Sequence, residues 1–284
     1  MVLYGPGDPT HREHWEQEAI QHTVHLQFKS NNFFKKMNMY KKMFAVLSVF
    51  ALLCVNELKA QLYIGVEGGA NRNYMVTNTS DKPFFEYQPS YGYSIGVPIR
   101  YEFPSLPWFG GIQATPGFVQ KNYLIQRTGY YSAMYQQTDN NYLELPIMAQ
   151  FRFGGQFKKQ QSLYGFLNLG GFGGYWLSGH VKGRALSPLD PNNYQEYDES
   201  YTFSDVKDNR FEWGGLAGAG LQYMPNKNYV FSVEARYSTS LSDQQKAYSE
   251  NQTPRYNDTY SLLVGVQRQL PLNKKQNKSK AAKK

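Results

Sequence analysis

Residues 143–153 read Leu143-Glu144-Leu145-Pro146-Ile147-Met148-Ala149-Gln150-Phe151-Arg152-Phe153. Every odd position is apolar, while the even positions carry Glu144, Gln150 and Arg152. Apolar side chains two apart lie on one face of an extended chain, so this stretch is a strand with one apolar and one polar face. The same alternation returns in three other places. Tyr91–Phe103 sets Tyr91, Tyr93, Ile95, Val97, Ile99 and Tyr101 against Gly92, Ser94, Arg100 and Glu102. Tyr229–Tyr237 sets Phe231, Val233 and Ala235 against Ser232, Glu234 and Arg236, and Tyr256–Leu270 sets Tyr260, Leu262, Val264 and Val266 against Ser261, Gly265 and Gln267. Weaker versions occupy about 61–75, 108–124, 162–177 and 211–224, which gives eight strands, and no convincing helical periodicity interrupts them.

The connections alternate in length. Long ones cover about 76–89, 124–140, 178–210 and 241–255; short ones fall at 104–107, 154–161 and 225–227. A meander with its long loops at one end and its tight turns at the other is the layout of an outer-membrane β-barrel, turns to the periplasm and loops outside. Aromatic residues gather at both strand ends. Tyr101, Phe103, Trp108, Phe151, Phe153, Tyr223 and Tyr229 neighbour the short turns, and Tyr91, Tyr123, Tyr142, Tyr175, Trp213, Tyr237 and Tyr260 lie towards the long loops. Two such girdles suit the two headgroup levels of a bilayer.

Which face points inward is decided by charge. One parity carries Glu67, Arg100, Glu102, Glu144, Arg152, Glu212, Glu234 and Arg236, and the other is almost uncharged. A soluble eight-stranded barrel would have to show water the charged face and bury the apolar one. In a membrane the order is reversed, because a charge facing lipid costs about 2–4 kcal/mol at the bilayer midplane. The expected fold is therefore an all-β, eight-stranded antiparallel up-and-down transmembrane barrel over 61–270. The eight charges are then a lumen network that pairs internally, since an unpaired buried charge is expensive. Pro98, Pro116 and Pro146 fall inside strands, where each removes a ladder donor, so bulges or local water are expected there.

The chain has 284 residues and a formal net charge of +8. Residues 61–273 hold 17 charges of each sign; the excess lies in residues 1–60 and in six lysines after Asn273. A nucleic-acid surface woven into the fold is thereby excluded. Residues 43–55, MFAVLSVFALLCV, follow Lys41-Lys42 and precede Leu58-Lys59-Ala60. A run this short falls below the roughly 20 residues of a spanning helix and reads, with its flanks, as a signal peptide over 37–60. Residues 1–36 hold His11, His14, His22 and His25 and read as a non-native upstream extension, and 271–284 as a basic periplasmic tail. The only cysteine, Cys54, lies in the signal, which suits an oxidising address.

Particular motifs add a resemblance. Tyr142-Leu143-Glu144-Leu145-Pro146-Ile147 with Phe151-Arg152-Phe153 resembles the central strand of the PorT-like, porin-family outer-membrane barrels of Bacteroidota. Gly165–Leu177, Gly214–Tyr223 and Val233–Leu241 fit the same family in the same order. The resemblance implies a fold and an outer-membrane location, with outer-membrane lipid and possible envelope or secretion proteins as partners, and it supplies no catalytic residue.

The residues themselves point to no enzyme, cofactor or metal. Within 61–284 the one histidine, His180, stands beside Ser178-Gly179, the setting of an ordinary polar loop residue. Gly170-Gly171 and Gly173-Gly174 are followed by neither a helix nor a Lys-Ser/Thr step, so they allow close packing instead of cradling phosphate. The loop 178–210 mixes Asp190, Glu196, Asp198, Glu199, Asp205 and Asp208 with Tyr194, Tyr197 and Tyr201, in a spacing unlike any calcium loop. The sequence thus leads to a monomeric, non-enzymatic barrel acting through loops and partners, with a small-solute channel and an accessory part in secretion as alternatives.

Overall fold

The computed structural model describes residues 61–77, 84–103, 106, 108–158, 160–187, 193–247 and 252–271. The upstream extension, the signal segment and the tail beyond Pro271 lie outside the described residues. Twelve strands form: β1 (Gln61–Thr77), β2 (Phe85–Gly96), β3 (Ile99–Glu102), β4 (Phe109–Ala114), β5 (Gly117–Gln120), β6 (Tyr123–Arg127), β7 (Tyr135–Lys158), β8 (Gln161–Leu186), β9 (Tyr194–Ser200), β10 (Phe211–Asn226), β11 (Tyr229–Ser240) and β12 (Arg255–Leu270). All pairings are antiparallel.

Twelve strands make a ring of eight. β2 and β3 are one strand broken at Val97-Pro98, and β4, β5 and β6 are one strand broken at Thr115-Pro116 and Lys121-Asn122. The ring runs from β1 through these two composite strands to β7, β8, β10, β11 and β12, and closes where β12 pairs with β1 from Leu62↔Leu270 to Thr77↔Arg255. The twelfth element, β9, stands outside the ring and pairs with the end of β8. β9 lies within the stretch 178–210 expected as a loop. Its pattern, Tyr-Gln-Glu-Tyr-Asp-Glu-Ser, has no apolar face because neither side of that strand is covered.

The prolines are accommodated by interruption of the strands, and the register does not shift across them, so the expected bulges do not form. Their carbonyls still accept: Gly65 N–H donates to Pro98, Val97 N–H to Pro116 and Thr115 N–H to Pro146, each at 3.0 Å. Pro146 stays within β7 because its missing donor faces the break at Thr115-Pro116. In register, Pro98 and Pro146 both stand opposite Thr115, with Pro116 one residue on, so the three prolines lie nearly in one row across successive strands.

The strands are inside-out relative to a water-soluble barrel. Leu143, Leu145, Ile147, Leu167, Leu169, Leu221, Val233, Leu262 and Val264 are exposed on the outer surface, whereas Arg100, Glu102, Glu144, Asn168, Glu212 and Glu234 are buried. β7 and β8 overrun the apolar band and continue paired out to Tyr135↔Arg184, so the loops expected at 124–140 and 178–210 are largely tall sheet.

Candidate functional site: a packed lumen and its extracellular wall

Charged side chains meet inside the barrel in three layers. Nearest the short turns, Arg152 Nη2 donates to Glu102 Oε1 at 2.7 Å, and Arg100 lies 3.7 Å from the same carboxylate. Arg100 also donates to Gln150 Oε1 at 3.0 Å and covers the ring of Tyr63 at 4.7 Å. In the middle layer Arg236 grips Glu234 with two hydrogen bonds of 2.9 Å and reaches Glu67 at 3.2 Å. Towards the long loops, Lys121 Nζ bridges Glu144 at 2.5 Å and Glu212 at 2.8 Å. Asn257 donates a further bond of 3.1 Å to Glu212. Every one of the eight charges expected in the lumen thus takes part in an ion pair.

Lys121 was missed by sequence reading. Its strand is broken by Pro116 and again at Lys121-Asn122, where Lys121, Asn122 and Tyr123 are all buried in succession, so alternation cannot be followed through it. An excess of carboxylates in the sequence count was the available signal, because two buried acids facing each other need a cation.

Gly174, in the glycine-rich stretch of β8, and glycines of other strands make room for these side chains. Gly174 pairs across to both Glu144 and the row of Glu212, and a Cβ on it would sit 3.1 Å from Glu144 Cγ. A Cβ on Gly218 would meet Glu234 Oε1 at 2.2 Å, and one on Gly110 would meet Arg152 Cγ at 2.8 Å. Long polar side chains therefore lie over glycines of neighbouring strands, which is how so narrow a lumen holds them.

Rings close the extracellular end of the lumen. On the extracellular side Trp176 stacks on Tyr142 at 6.0 Å and on Tyr201 at 5.2 Å, with Phe203 edge-on at 4.9 Å. Gln244 donates to the Tyr142 hydroxyl at 3.1 Å. Tyr142 is thus a lumen residue and no part of a girdle, a correction that follows from its parity, which is that of Glu144. On the turn side Phe103 is buried, stacked on Phe109 at 5.5 Å, because the chain has left β3 and curls under Tyr101. Tyr101, Trp108, Phe153, Tyr223, Tyr91 and Trp213 are exposed outward, and Phe151 and Tyr237 are half-buried on the same face. Between the middle and upper charge layers remains a cavity of about 40 Å³ beside Glu67, Glu144, Phe172, Leu216 and Arg236. That is room for little more than ordered water.

Above the membrane, β9 fastens to β8 through the close His180–Asp198 contact and the Arg184–Glu196 pair at 2.6 Å. Ser178 instead accepts from Asn141 at 3.0 Å. Tyr201 donates to Asp208 at 2.9 Å, and burial together with that bond pushes its hydroxyl pKa up. Among the described residues no group of three His, Cys, Asp or Glu gathers that could hold a metal ion.

This chain has similarities among known proteins. The solved structures it matches include Ail, the attachment invasion locus protein of Yersinia pestis, at 19% identity over 72% of this chain and 97% of that one, with a TM-score of 0.33. The outer-membrane protein OprG of Pseudomonas aeruginosa matches at 12% identity over 75% and 97%, TM-score 0.40. Neisserial surface protein A matches at 10% identity over 74% and 99%, TM-score 0.35. No curated protein matches the sequence. The profile described as "Outer membrane protein beta-barrel domain" matches residues 56–245, and the chain accordingly belongs to that family of bacterial outer-membrane barrels.

Proposed function

We infer that this protein is a closed, non-conducting outer-membrane barrel without enzymatic activity, and that it acts through its extracellular wall and its partners. The observation that carries this reading is the filled lumen. Four cations and five carboxylates are paired in three layers, aromatic rings close the extracellular end, and the cavity between the middle and upper layers measures about 40 Å³. An eight-stranded barrel has an interior just wide enough for side chains. Catalysis lacks a framework: the His180–Asp198 pair is solvent-exposed, with side chains 43% and 70% accessible, and it fastens one strand to another. What remains for function is the tall sheet of β7, β8 and β9, whose acidic and tyrosine side chains stand clear of the membrane. Tyrosine offers contact area at low entropic cost, which suits recognition of another surface.

Purified protein reconstituted into planar bilayers is expected to give no stable ohmic steps. Steps that persist and scale with voltage would overturn the closed-barrel reading in favour of a small-solute channel. The resemblance to PorT-like barrels brings a further expectation, an accessory part in protein secretion; a deletion strain that still secretes its surface proteins normally speaks against it.

A further inference from the structure

On its outer surface the barrel carries a cation where lipid is expected. Arg72 on β1 is exposed, and β1 sends its even positions (Ile64, Val66, Ala70) outward beside it. Its guanidinium lies 5.1 Å from the ring centre of Tyr74 and 5.9 Å from that of Tyr91. Tyr74 meets Tyr260 edge-on at 5.7 Å, and Tyr260 meets Tyr237 at 4.9 Å, so Arg72 stands within a fence of four tyrosines at the outer girdle. Among the described residues no carboxylate pairs with it. The nearest outward acid in register, Asp258, faces Tyr74 one step further out and accepts from the Thr239 hydroxyl at 2.7 Å.

The surface below this fence is hollow. Adjacent strands place Ala219, Ala235, Leu262 and Ala70 in one row, and Ala217, Tyr237, Tyr260 and Arg72 in the next. Four alanines where neighbouring rows carry leucine, valine and phenylalanine leave a groove of about 670 Å³, walled by Leu167 and Leu169 and ending at Arg72 and Tyr91. Arginine at a lipid-facing position is costly unless its charge reaches the headgroup level and finds an anion there. Phosphate matches the guanidinium fork, and tyrosine hydroxyls at the same level can donate to the remaining oxygens.

We propose that Arg72 and the alanine groove form a binding site for one phosphorylated, multiply acylated glycolipid of the outer leaflet, phosphate on Arg72 and an acyl chain along Ala235, Ala219 and Ala217. Three features favour this occupant over a second copy of the chain. The groove ends on an uncompensated cation, which an identical surface would meet with another cation. It lies beside a girdle rich in hydroxyls. It also spans several strands sideways, as a lipid with several chains does. A contrast exists at the opposite interface, where Arg268 lies 5.9 Å from the ring of Tyr229 and contributes nothing to this groove.

The test uses the full barrel in detergent, titrated with hexa-acylated diphosphoryl lipid A or with phosphatidylcholine and read by native mass spectrometry. Wild type is expected to retain lipid A and to bind phosphatidylcholine at least tenfold more weakly. R72Q is expected to lose about tenfold in lipid A affinity, the scale of one charge-assisted pair, while R268Q keeps it. The A217L/A235L pair, which fills the groove from the lipid side, is expected to weaken retention as well, with heat-modifiable gel mobility confirming that each variant folds. If filling the groove makes the barrel misfold, R72Q against R268Q decides alone. Equal binding of the two lipids by wild type, or lipid A retention unchanged in R72Q, overturns the proposal. So does a shift from dimer to monomer in A217L/A235L with lipid A binding intact, which would make the groove an interface between copies.

Discussion

At the residue scale, Lys121 holds the most consequential position in the lumen. Among the described residues it is the only cation within bonding distance of Glu144 and Glu212, and its ammonium also lies 4.6 Å from the ring centre of Phe172 and 5.1 Å from that of Tyr142. Removing the cation from a buried pair leaves uncompensated charge, a loss of about 3–5 kcal/mol, whereas removing all the charges together is often neutral. K121M is therefore expected to lower the urea midpoint of the reconstituted barrel strongly, and K121M/E144Q/E212Q to recover most of it. A triple variant as unstable as K121M would mean that packing and not charge holds this layer.

At the element scale, the glycines of β10 divide by face. Gly218 points inward, where a Cβ would collide with Glu234 Oε1 at 2.2 Å, and Gly215 points outward, where a Cβ meets nothing within 4 Å. G218V is expected to push Glu234 off Arg236 and to slow or prevent appearance of the heat-modifiable band. G215A is expected to fold as wild type does. Similar behaviour of the two variants would show that the space over Gly218 does not govern the middle charge layer. The same scale explains what the prolines do. Because each break in one strand faces a carbonyl or a proline in the next, three losses of a donor cost the sheet little pairing.

At the scale of the whole molecule, the ring and the wall are separable. The barrel closes through β1 to β8 and β10 to β12, while among the described residues β9 pairs only with β8, above the apolar band. Replacing 188–200 by a short Gly-Ser linker is expected to leave the urea midpoint of the barrel unchanged, because no ring pairing is lost, and to remove whatever recognition the wall provides. A barrel that no longer inserts would show that the wall assists closure.

Most of the ring is legible in sequence, because period two survives in every strand that has lipid on one side and polar neighbours on the other. Leu143–Phe153 alone gives the inward and outward faces, since lipid and lumen make opposite demands and each residue satisfies one of them. Tyr142 and Phe103 show the limit of reading by position along a strand. Being near an interface did not place them at it; parity put Tyr142 inside, and the turn after Glu102 put Phe103 under its neighbours.

What the sequence by itself determined is the number of ring strands, the sign of each face and the outer-membrane barrel class, because these follow from local alternation and from the lengths of the connections. Only the tertiary structure decided which charges meet. Glu144 and Glu212 come together across Gly174, and Lys121 reaches both from a strand broken by proline, through a register that no local pattern encodes. Arg72 likewise became a site only when β12, β11 and β10 brought Tyr260, Ala235 and Ala217 alongside it. Contacts between strands depend on closure of the ring, and closure is set by every strand at once.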